Sequence, residues 1–150
     1  MGRKKPNQES EGGVPLASES PLRPILYQGA QRDIVCAVKT DGTSPAKHYI
    51  DALSESDQAK FSSLFVWMGD LGMLRNKEKF RAIGDVKCSI TESISKISLF
   101  EFKIHGERIV TFQSGRRWVL THGFSKKGAV LKTERERAKQ IIEEDLSQRG

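Results

Sequence analysis

Between residues 99 and 126 the chain alternates apolar and polar side chains in three short runs, with a glycine-bearing turn after each of the first two. Phe100, Phe102 and Ile104 alternate with Glu101, Lys103 and His105 before Gly106 turns the chain. A second run covers residues 108–112 and is turned by Ser114 and Gly115; a third runs from residue 117 to about 126. A period of two is the spacing of a strand with one face buried, and connections this short join antiparallel neighbours. The expectation is a three-stranded meander, with Trp118, Leu120, His122 and Phe124 on one face of its last strand.

The flanking segments supply the layers that cover such a sheet. Residues 34–38, Ile-Val-Cys-Ala-Val, form an apolar run bounded by Asp41-Gly42-Thr43, as a buried strand would be. Ser44-Pro45 opens a helix, the serine able to accept from unpaired amides and the proline losing no bond in the first turn. Ala46, Tyr49, Ile50 and Leu53 fall on its apolar face. Ser54, with Asp57 three residues on, opens a second helix in which Phe61, Leu64, Phe65, Met68 and Leu71 repeat at helical spacing before Gly72. Residues 73–95 are polar and mixed and read as a long loop. From Thr133-Glu134 onward, Ala138, Ile141, Ile142 and Leu146 share one face of a closing helix. The expected class is α+β: a small antiparallel sheet, an N-terminal helix pair and a C-terminal helix, with the helices on one face of the sheet.

Residues 1–32 hold four of the five prolines and few core-forming side chains, so they are expected to be a flexible tail ahead of a domain at 33–150. No run approaches the ~20 apolar residues a membrane helix needs, and the basic start has no apolar signal core behind it, so the expectation is a cytoplasmic protein without a membrane partner. Cys36 and Cys88 are too few for a disulfide framework or a four-cysteine zinc site and are read as reduced, packed thiols. The net charge is +6, and residues 95–133 contain eight basic side chains against two acidic ones. That concentration points to an anionic partner, a polyphosphate chain above all.

Three consecutive motifs carry a family resemblance. Phe100-Glu101-Phe102-Lys103, Arg108-Ile109-Val110-Thr111-Phe112 and, above all, His122-Gly123-Phe124-Ser125-Lys126-Lys127 resemble the strands of phage-derived HigB-like toxins of the RelE superfamily. Asn76-Lys77-Glu78-Lys79-Phe80 and Glu134-Arg135-Glu136-Arg137-Ala138 resemble their approach to the sheet and their last helix. The resemblance implies a RelE-like fold and the toxin of a type II toxin–antitoxin pair. Its activity would be mRNA cleavage in the ribosomal A site, and its partner an antitoxin of helix-turn-helix, DNA-binding type. Several toxins of the superfamily use a tyrosine near the C-terminus, whereas this chain has none after Tyr49.

RNA carries its own nucleophile, the 2′-OH, so such a protein has mainly to orient the strand, move a proton and neutralise the phosphorane. One cation well placed in a partly dry site contributes ~3 kcal/mol, about a hundredfold in rate. Lys103, Arg108, Lys126 and Lys127 are the candidates for that role, and His122, the one histidine inside the motif, for acid or base. The apolar companions of His122 equally suit a core histidine bonded to a carbonyl. Lys96, Arg116, Arg117 and Lys132 are candidate phosphate contacts, with charged hairpin tips as the plainer alternative for the arginine pair. No phosphate-binding glycine loop, HExxH or CxxC motif occurs, so no metal or cofactor is expected. The readings outside catalysis are an RNA-binding or antitoxin-partner module without chemistry and a phage host-takeover protein of the same fold.

Overall fold

The computed structural model describes residues 22–149. In chain order the elements are β1 (Ile25–Gln28), β2 (Asp33–Cys36), α1 (Pro45–Asp51), α2 (Glu55–Leu71), β3 (Phe80–Ile90), β4 (Ser93–Ile104), β5 (Glu107–Ser114), β6 (Arg117–Ser125) and α3 (Leu131–Ser147). The six strands make one sheet ordered β1-β2-β6-β5-β4-β3.

The α+β class and the β4-β5-β6 meander are as expected, but the sheet is mixed rather than antiparallel. β2 lies parallel to β6, from Asp33 opposite Arg117 to Cys36 opposite Leu120, while the other neighbours are antiparallel. The helix pair makes this possible, because it carries the chain from β2 over the sheet to the far edge at β3. The helices also cover both faces, not one. Ile34, Cys36, Phe102, Ile109, Trp118 and Leu120 pack under α1 and α2, whereas Val35, Leu99, Val110, Phe112 and Val119 pack under α3. Strands buried on both sides expose neither set of alternating residues, which is why β2 reads as an unbroken apolar run.

The helix ends follow their capping residues in part. Ser54 Oγ accepts from Asp57 N at 3.1 Å, and Gly72 closes α2 in the left-handed region at φ 85°. Ser44 does not cap α1: its hydroxyl donates to Ala37 O at 2.8 Å, tying the helix entry to the end of the sheet. Leu71, expected on the apolar face of α2, is 68% exposed.

Two segments correct the sequence expectation. Residues 22–32, assigned to a flexible tail, contain β1, whose main chain pairs with β2 and whose Leu26 and Tyr27 pack against the α2 core. Backbone pairing and Arg23, which donates to buried Asp145, give this stretch the anchoring its side-chain composition does not suggest. Residues 1–21 lie outside the described residues. Of the loop expected at 73–95, residues 73–79 are loop, but from Phe80 onward the chain forms the long β3–β4 hairpin. Its alternation is masked by a bulge at Ile83, where Gly84 adopts φ 116°, and its turn has Thr91, not glycine or asparagine, at φ 54°.

A second bulge decides where the signature residues point. Val110 pairs with His122 and Thr111 with Leu120, leaving Thr121 as an extra residue in β6. Trp118 and Leu120 therefore face α1 and α2, while His122 and Phe124 face α3. The expectation that all four share a face fails because one inserted residue shifts every later side chain to the opposite side.

Candidate nucleic-acid interface

The end of the sheet that carries the β4–β5 turn gathers cations from three strands and the loop after β6. Arg81 lies opposite Glu101, and Lys103 opposite Arg108. Backbone N–H of Lys126 donates to Gly106 O at 2.7 Å, bringing the loop after β6 beside the turn. The residues of β4 that alternate with these, Phe102 and Ile104, are sunk into the α1 and α2 core, which fixes Glu101 and Lys103 on the α3 side.

Within this group the charges differ in what they are free to do. Glu101 is 1% exposed, and its Oε2 accepts from Arg81 Nε at 2.6 Å with Arg108 Nε at 3.8 Å. Arg108 is itself 5% exposed and its Nη1 donates to the carbonyls of His105 at 2.6 Å and Glu107 at 2.9 Å. It holds the β4–β5 turn, so its removal would deprive both carbonyls of this donor and take away the second cation beside the buried Glu101 carboxylate. Lys103 has no side-chain hydrogen bond or ion pair among the described residues. Loss of water, and then the guanidinium groups of Arg81 and Arg108 and the ammonium of Lys126, hold its pKa below the ordinary lysine value. Lys126 and Lys127 are exposed. Arg81 is the member of the group that the sequence reading lacked, because it sits in the segment taken for loop.

His122 is 2% exposed. Its Nε2 lies 3.0 Å from Glu134 Oε1 on the first turns of α3, and its Nδ1 lies 3.0 Å from Thr121 Oγ1. Burial outweighs the adjacent carboxylate and pushes the ring down to about 4, so it is neutral at pH 7. With Nε2–H donating to the Glu134 carboxyl oxygen, Nδ1 faces the Thr121 hydroxyl, which is also within reach of Val110 O at 3.3 Å. The rest of the motif is also spent on packing. Phe124 is 9% exposed beneath α3, and a Cβ on Gly123 would stand 2.1 Å from Tyr49 Cδ2 of α1. The Tyr49 hydroxyl donates to Glu107, and it reaches Phe124 O at 3.2 Å. His-Gly-Phe is thus a three-way clamp of β6 to both helical layers, and the two lysines behind it are its free part.

The remaining candidates lie elsewhere. Arg116 lies in the β5–β6 turn and Arg117 begins β6, at the far end of the strand from Lys126, about 30 Å away at the rise of a strand. Arg116 is occupied by the carbonyls of Gln31 at 2.9 Å and Gly29 at 3.1 Å, joining the β5–β6 turn to the β1–β2 loop. Lys96 is on the outer part of β4, 3.5 Å from Asp85. Lys132 is exposed on the first turn of α3, beside Arg135 and Lys139. His105 is at the β4–β5 turn, its Nε2 2.8 Å from Asp57 of α2.

Among the described residues no three His, Cys, Asp or Glu side chains are grouped to hold a metal ion, and no helix is long and apolar enough to cross a membrane. Cys36 and Cys88 are free and buried, and burial pushes their thiols up to about 12 and about 11. The fold and the cation group together describe an α+β protein with one basic sheet end. No family model, curated protein or solved structure matches the chain.

Proposed function

We propose that this chain is the toxin of a type II toxin–antitoxin pair, an endoribonuclease that cuts mRNA on the ribosome in the cytoplasm. The observation that carries the reading is the convergence of Arg81, Lys103 and Lys126, with Lys127 next in the chain, at one end of a rigid sheet. Two buried charges, Glu101 and Arg108, hold the strands that present them. Within the observed order, the helix pair, the β4-β5-β6 meander and the C-terminal helix follow one another as the resemblance implies for a RelE-like toxin, β1 and β3 being additional, which also supports it. Arg81 and the lysines neutralise the phosphorane as the RNA 2′-oxygen bonds to phosphorus and the P–O5′ bond breaks, leaving a 2′,3′-cyclic phosphate and a free 5′-hydroxyl. Lys103, partly desolvated and among other cations, takes the proton-transfer role that buried His122 does not fill. A helix-turn-helix antitoxin would silence the protein by covering this end.

One observation favours a second reading. His122 is shut beneath α3, and the chain has no tyrosine after Tyr49, so the same surface suits an RNA-binding module without chemistry.

Mapping 5′ ends of mRNA in a translating extract, with ribosome-free mRNA as control, separates the two. The expected result is cuts confined to translated mRNA, falling about a hundredfold with Lys103→Ala or Lys126→Ala. Neither lysine has an ion-pair partner among the described residues, so both variants are expected to fold. Retention of RNA without any cut would favour the binding module.

A further inference from the structure

We infer that the cavity between β3, β4 and the loop at residues 73–77 is a nucleotide subsite that takes one base of a single-stranded RNA. The inference rests on the RNA reading above and deepens it. The cavity has a volume of about 660 Å³, within the range of small-ligand sites. Its apolar part includes Phe80, Ala82 and Phe100. Phe80 and Phe100 are stacked at 5.3 Å and 8°, and Trp118 meets Phe100 edge-on at 5.4 Å and 90°. Phe80 is 3% exposed whereas Phe100 is partly open, so Phe100 is the ring of this stack that an incoming base can reach.

The polar lining is of one sign. Arg75 and Lys77 come from the loop and Arg81 and Lys103 from the strands, and no carboxylate lines the cavity. Arg75 and Lys77 are exposed and have no side-chain hydrogen bond or ion pair among the described residues. A flat apolar ring beside unpaired cations suits a base attached to phosphate, since every base offers a π-face and every linkage a negative charge. Arg81 and Lys103, on the α3 side, and Phe80 and Phe100, on the α1 and α2 side, all line this cavity, so a strand whose phosphate sits on the cation group would pass round the edge strand β3 to bring its base to the rings. Such a subsite would fix which nucleotide lies next to the phosphate being attacked.

The test is an amide-shift titration of the ¹⁵N-labelled full chain with adenosine 5′-monophosphate, ribose 5-phosphate and inorganic phosphate. Adenosine 5′-monophosphate is expected to shift Leu74, Ala82 and Phe100 and to bind about fivefold or more above ribose 5-phosphate, the excess coming from stacking. Phe100→Leu, and independently Ala82→Leu, which fills the cavity from an exposed position, should each weaken the nucleotide about tenfold and leave the phosphate response unchanged. Equal affinity for all three ligands, or shifts confined to Lys126 and Lys127, would overturn the subsite. Cleavage in the translating extract is read separately, so loss of the subsite and loss of the nuclease reading are distinguishable.

Discussion

His122 shows how a residue with the right chemistry can be given a different task by its surroundings. Its folded pKa is depressed to about 4 from 6.5, so the unfolded chain binds a proton over that interval and the folded one does not. The contribution of the neutral ring to stability is therefore complete above pH 6.5 and is lost as pH falls towards 4. Urea denaturation at pH 7 and pH 5 should show wild type losing stability between them, while His122→Gln, which keeps a donor towards Glu134, loses less. Two neighbouring residues make separate claims. Gly123→Ala places a methyl against the Tyr49 ring and should destabilise by about 1–3 kcal/mol, with thermal melting as the readout. Lys103→Arg keeps the charge and removes an ammonium whose pKa its surroundings hold below the ordinary lysine value. In the nuclease reading it should retain RNA binding yet cut at least about tenfold more slowly, and full cutting would reduce Lys103 to an electrostatic role.

At the scale of elements, one unpaired residue in β6 sets the orientation of the motif that follows. Deleting Thr121 would restore a regular ladder and send His122 and Phe124 towards α1, and Gly123 towards α3. The deletion should lose the dispersed amide spectrum of the folded chain, whereas Thr121→Val, which keeps the bulge, should retain it. The same device explains which elements were legible. α2 keeps its helical period from Phe61 to Met68, and those residues could be assigned to the buried face directly, Leu71 alone departing at the helix end. β3 could not: Phe80, Ile83 and Cys88 are its buried residues, and the bulge at Ile83 breaks the two-residue spacing between the first two. β1 was invisible for another reason, as an edge strand held by its main chain and by Arg23 needs little apolar patterning.

For the whole molecule, the excess positive charge of residues 95–133 was legible, but not its division. Five of the eight cations of that stretch are separated by the ends of β6, with Lys103, Lys126 and Lys127 on one side and Arg116 and Arg117 on the other. Spacing along a strand does not say which end a partner meets, and only the β3 pairing brings in Arg81. If four cations, Arg81, Lys103, Lys126 and Lys127, meet phosphates of a single strand, the logarithm of the binding constant should fall with the logarithm of salt at a slope of about −3. Filter binding across a salt series measures it, and Arg116→Ala should leave the slope unchanged. The parallel pairing of β2 with β6 adds a constraint of timing. These partners lie about eighty residues apart, so the middle of the sheet closes only after residues 117–120 have been made. A chain that cuts mRNA during translation would thus stay harmless to the ribosome making it until β6 had emerged to pair with β2.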